Sequence, residues 1–154
     1  MDTPESMKAE LAVWNNGDGI DIESWVGMQG NFSLAVGYIS VFWPSFTLFD
    51  GYILLEGFSE ESLRGFERSG RNRQAVEAVM NHLHIADIQY YGCGDASEDK
   101  FLLLGNTLKE IYAAKLQWQW PDRACTVEFY IPEDRDDLME YQILFWQKSH
   151  ETPE

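Results

Sequence analysis

The chain has 154 residues, 45% of them hydrophobic and 14% aromatic, enough apolar material for a core that needs neither disulfides nor metal. Its 26 acidic against 11 basic residues give a formal net charge of -15. That balance argues against nucleic-acid binding, which needs a basic footprint for phosphate, and against an anionic membrane surface. No basic stretch followed by an apolar run opens the sequence, and the longest apolar runs are far too short to cross a bilayer. Two cysteines, Cys93 and Cys125, do not make a disulfide framework. The expectation is one cytoplasmic domain spanning 1–154, with frayed ends at about 1–3 and 149–154 and no bound cofactor.

In chain order, Thr3-Pro4-Glu5 reads as an N-cap, a first-turn proline and a first-turn acid. Met7, Leu11 and Trp14 follow at helical spacing until Asn15-Asn16-Gly17. A short helix is expected near 21–28. A second, capped by Asn31, carries Leu34, Ala35, Tyr38, Ile39 and Phe42 as far as Trp43-Pro44. Phe46 to Phe49, Asp50-Gly51 and Tyr52 to Leu55 form the clearest hairpin signal, because Asp-Gly supplies the positive backbone angles of a tight turn. Ser59 caps an acidic-fronted helix that ends at Gly70. Asn72 caps another whose stripe is Ala75, Val76, Val79, Met80 and Leu83.

After a loop at Gly92 to Asp95, Ser97-Glu98-Asp99 opens the longest helix. Phe101, Leu104, Leu108, Ile111, Tyr112 and Leu116 are its apolar positions, and Pro121 ends it. Cys125, Val127, Phe129 and Ile131 alternate with polar neighbours, as do Tyr141, Ile143 and Phe145, which reads as two half-buried strands. The fold class is α+β: one antiparallel sheet built from hairpins at about 46–56 and 124–147, with several helices packed on one face.

Four groups of residues could carry chemistry. His82, His84, Asp87 and Cys93 offer metal-ligand or Cys–His nucleophile types and define a small-enzyme reading. On a continuous helix the two histidines would stand about 200° apart; only an extended chain at 82–86 points them the same way. Gly92-Cys93-Gly94-Asp95 gives a permissive loop for a thiol, but its acidic neighbours work against a thiolate. The stretch from Asn15 to Asp21 fails as a calcium loop, since tryptophans fall at its first and last ligand positions.

Arg64, Arg68, Arg71 and Arg73 form the second group, a possible receiver of phosphate or carboxylate. The third is the acidic run Glu133, Asp134, Asp136 and Asp137, continued by Glu140, which suits a basic partner. The fourth is aromatic: Trp118 and Trp120 cannot both face one packing direction, and an exposed tryptophan would suit a protein interface. Phosphate-loop, dinucleotide, nucleophile-elbow and zinc-protease motifs are missing from the sequence. The reading that results is an acidic, non-catalytic protein-binding domain, of the inhibitor or immunity type, for a basic protein. The sequence sets no oligomeric state.

Overall fold

The computed structural model describes residues 2–89 and 93–151; Gly92 of the expected loop, Met1, and residues 152–154 of the expected tail lie outside the described residues. The α+β class holds. Six helices, α1 (Glu5–Ala12), α2 (Ile22–Gln29), α3 (Phe32–Phe42), α4 (Glu60–Arg68), α5 (Arg73–Met80) and α6 (Glu98–Gln119), accompany strands β1 (Phe46–Phe49), β2 (Tyr52–Leu55), β3 (Leu83–His84), β4 (Cys125–Tyr130) and β5 (Gln142–Gln147). Both expected hairpins form, but in two separate antiparallel sheets rather than one: β1-β2, and β3-β5-β4. The short β3 was not foreseen; it forms because α5 stops at Met80 and the chain straightens onto β5, pairing Leu83 with Ile143 and His84 with Gln142.

Local chemistry explains most boundaries. Asp21, Asn31, Ser59 and Asn72 each accept a hydrogen bond from the backbone N–H three residues on, at the start of α2, α3, α4 and α5, which satisfies a donor that the helix itself leaves open. Thr3 is not a cap: α1 starts one residue later than that reading requires, with Pro4 at the N-cap position and no side-chain cap bond. Asp50 and Gly51 adopt φ of 49° and 83°, as the two-residue turn between β1 and β2 demands. In α6, Gly105 is needed for space, since a Cβ there would stand 2.1 Å from the Phe129 ring. The main core lies between α6 and the larger sheet, around Phe46, Ile53, Leu108, Tyr112, Ile143 and Phe145, and a second cluster joins Tyr52, Leu54, Leu63 and Val76.

The two sheets are joined by side chains. Strand alternation turns the N–H groups of Ile53 and Leu55 away from β1, and those of the odd-numbered β5 residues away from β4. Two fully buried polar side chains fill the gap, Glu77 on α5 and Asn81 at its C-cap. Glu77 accepts from Ile53 N (2.7 Å), Gln147 N (2.8 Å), Gln147 Nε2 (2.8 Å) and His150 Nδ1 (2.7 Å). Asn81 accepts from Leu55 N (3.0 Å) and donates to Ile53 O (2.8 Å) and Phe145 O (3.5 Å). Glu77 belongs to the buried side of α5, beside the apolar stripe.

Residues 149–151, the described part of the end expected to fray, make contacts with the rest of the chain. His150 sits in a short turn over Lys148–His150 with its ring on Glu77, and Glu151 accepts from Thr126 Oγ1 (2.6 Å) and Trp146 Nε1 (2.9 Å).

At the other end of the chain, α1 is fastened to the start of α6 by Asp99. Its carboxylate accepts from Ser6 N (2.8 Å), Ser6 Oγ (2.9 Å), Ser97 Oγ (2.6 Å) and Lys100 N (2.9 Å). The Ser6 amide, then the Ser97 hydroxyl, hold its pKa well below the ordinary carboxylate range. A carboxyl whose pKa is depressed by folding contributes stability above its unfolded value, near 4, that is lost as pH falls through the folded value. The protection factor of the Ser6 amide should therefore fall progressively below pH ~4, and Asp99→Asn should show the lower protection already at neutral pH. Equal protection of Ser6 in both proteins would contradict this role for Asp99.

Candidate functional site

The region from His82 to Cys93 divides into two places. Because α5 ends at Met80 and Leu83–His84 is extended, the two histidines project to the same side, and their rings meet edge to face at 5.2 Å. Each Nδ1 lies against a backbone carbonyl, His82 on Val79 (2.6 Å) and His84 on Met139 (2.7 Å). A carbonyl only accepts, so both Nδ1 atoms carry a proton. Asp87 and Cys93 instead line a cleft of about 370 Å³ whose walls include Ile85, Phe101, Leu104 and Met139; neither histidine lines it. The Cys93 thiol faces Gln89 Oε1 at 3.9 Å. Among the described residues, no group of three or more His, Cys, Asp or Glu side chains is placed to hold a metal ion. The pairing of thiol with imidazole that nucleophilic catalysis requires is not assembled here.

The four arginines differ in their contacts, and Arg68 and Arg71 are exposed. Arg64 pairs with Asp50, with Glu67 (3.0 Å) and with Glu60 (3.3 Å), and lies over the Phe49 ring. Arg73 donates to Asp50 O (2.9 Å) and to His150 Nε2 (3.2 Å), with its guanidinium 4.0 Å from the Tyr52 ring centroid. Arg71 stacks on Phe66. Arg68 sits in the last turn of α4, where the helix dipole favours a cation. Two of the four guanidiniums thus already have carboxylate, carbonyl or imidazole acceptors.

His150 belongs to this network. Glu77, an ionised acceptor, requires a proton on Nδ1, and Arg73, a donor only, requires a lone pair on Nε2. Nδ1 thus faces Glu77 and Nε2 faces Arg73, with both ring nitrogens occupied. Tyr52 crosses its face edge-on and passes a hydrogen bond to Glu67 (3.2 Å). Glu77, Arg73, His150 and Tyr52 each have partners within the protein. Sequence reasoning missed this centre because Glu77 and His150 are 73 residues apart.

The acidic and aromatic groups separate. Glu133, Asp134, Asp136, Asp137 and Glu140 are all exposed on the β4–β5 connection. That connection is anchored at the start of α6, where Arg135 reaches Glu98 (3.3 Å) and Tyr141 Oη donates to Arg135 O (3.2 Å). Trp118 stands near the other end of α6, roughly 30 Å along a helix of this length. It is exposed, whereas Trp120 packs against the core with its buried Nε1 lacking a hydrogen-bond partner. Trp118 contacts Trp43 at 6.2 Å, and Trp43 follows α3, a helix with no buried residue. Phe32, Val36, Ile39 and Trp43 are all exposed on it. The signal for that outer stripe was present as a 4-3-4 spacing beside the inward set Tyr38, Val41 and Phe42.

No helix among the described residues is long and apolar enough to cross a membrane. Comparison of the chain with protein-family models, curated proteins and solved structures finds no match.

The two thiols differ sharply. Cys93 is exposed, while burial, and then the charge of Glu77, push the Cys125 thiol up to about 12. At neutral pH a thiol reagent should modify Cys93 alone in the native protein and both cysteines after denaturation, as read by mass spectrometry. Native labelling of Cys125 at a comparable rate would contradict its burial.

Proposed function

We propose that this chain is a non-catalytic protein-binding domain whose β4–β5 loop docks a basic surface of a partner protein. The observation that carries this reading is a preorganised acidic loop. Glu133, Asp134, Asp136, Asp137 and Glu140 are exposed, and among the described residues none of them forms an ion pair. The one cation within the run, Arg135, is drawn back onto Glu98.

The loop's own backbone and short side chains hold its shape. Asp134 Oδ1 accepts from Asp136 N (3.1 Å), Asp134 O from Asp137 N (3.2 Å), Asp136 O from Leu138 N (2.9 Å) and Asp137 O from Glu140 N (3.2 Å). A surface ordered beforehand loses less conformational entropy on binding. Closely spaced like charges repel, and a cationic partner relieves that repulsion. The overall charge of -15 adds long-range attraction, so association is expected to be fast and salt-sensitive.

The test is capture from cells that naturally express the chain. At low salt the wild-type protein should retain a basic protein, released as ionic strength rises. The quadruple variant Glu133→Gln, Asp134→Asn, Asp136→Asn, Asp137→Asn should fold normally by circular dichroism and lose at least ~10-fold in affinity for the recovered partner. Equal retention by the variant would overturn the role of the loop.

A further inference from the structure

We propose that α3 is the contact surface for a second copy of this chain, with the two helices meeting along Phe32, Val36, Ile39 and Trp43 and with Trp118 extending the seam. This surface is separate from the acidic loop, and the proposal stands independently of that loop's partner.

Successive spacings of 4, 3 and 4 residues place those four side chains within an arc of about 60° around the helix. This is the spacing of a coiled-coil seam. The inward side of α3 is already used. Val41 and Phe42 pack on the main core, Tyr38 packs edge-on against Phe42, and Tyr112 Oη donates to Val41 O (3.0 Å). The outer stripe touches little of its own chain: Phe32 is 91% exposed, Val36 66%, Ile39 59%, Trp43 47% and Trp118 71%.

Area and charge both identify the occupant. The five side chains expose on the order of 600–700 Å² of apolar surface, close to the ~800 Å² per partner of a stable interface. Exposed apolar patches of that size are uncommon on monomers. From Ser24 to Phe49 the sequence has no charged residue, although the chain as a whole is strongly acidic. This segment is therefore where two copies of charge -15 can approach with least repulsion. The Lys115 ammonium lies 4.9 Å from the Trp43 ring centroid, on a residue only 6% exposed. A twofold contact must be self-complementary. An antiparallel crossing meets that condition, placing Phe32 of one copy opposite Trp43 of the other and pairing the two β-branched residues at the centre.

The experiment is light scattering on the full chain across micromolar concentrations, at physiological ionic strength so that repulsion between copies is screened. The expected mass is twice the 17.8 kDa of one chain. Val36→Glu with Ile39→Glu should give the single-chain mass with an unchanged circular dichroism spectrum. Phe32→Ser, a milder change at the most exposed position, should weaken self-association at least ~10-fold. A single-chain mass for the wild type overturns the proposal, including the case in which that monomer floats with zwitterionic lipid vesicles instead. A dimer unaffected by both variants also overturns it.

Discussion

The structure depends on one buried carboxylate. Glu77 is inaccessible to solvent, and it accepts hydrogen bonds from three separate parts of the chain: β2, β5 and the final turn. Burying an ionised group is costly unless its acceptor sites are filled. Here four donors occupy about four lone-pair sites. The backbone has the reciprocal need, because the facing edges of β2 and β5 carry buried N–H and C=O groups with no strand between them. Glu77 and Asn81 supply what that absent strand would have supplied. The two small sheets are thereby fixed relative to each other without pairing directly.

That constraint also organises the surface. With His150 seated on Glu77, its other nitrogen takes Arg73, whose guanidinium covers Tyr52. Asp50, at the hairpin turn, receives both Arg73, through its carbonyl, and Arg64, through its carboxylate. The guanidiniums of Arg64 and Arg73 are thus engaged beside the β1–β2 turn. The β4–β5 loop keeps its carboxylates exposed at one end of α6, while α3 and Trp118 present an uncharged apolar face near the other. The two surfaces are therefore unlike each other in charge, on a chain whose formal net charge is -15.

Features that rest on neighbours in sequence were legible. Asp50-Gly51 announced its turn, and Asn31, Ser59 and Asn72 announced three helix starts, because cap and turn chemistry acts within three residues. Features that rest on distant partners were not. Glu77 follows Val76 on α5 and reads as an ordinary surface acid; only Ile53, Gln147 and His150 make its burial tolerable. His82 and His84 depended on where α5 stops, and Asn81 decides that by turning its side chain to Leu55 and Phe145. Trp118 and Trp120 were both offered as partner-binding residues, with no way to say which faces outward; Trp118 is exposed and Trp120 packs against the core. The outward one gained meaning only when Trp43 appeared beside it.

The most direct test of the Glu77 account is native-state amide exchange on Glu77→Gln, paired with urea denaturation. The substitution replaces one acceptor oxygen by an amide that points its own hydrogens at existing donors. The account predicts that protection at Ile53 and Gln147 falls together and that global stability drops by about 1–3 kcal/mol. Unchanged protection of both amides, with stability equal to the wild type, would show that the sheets are held in place by packing alone.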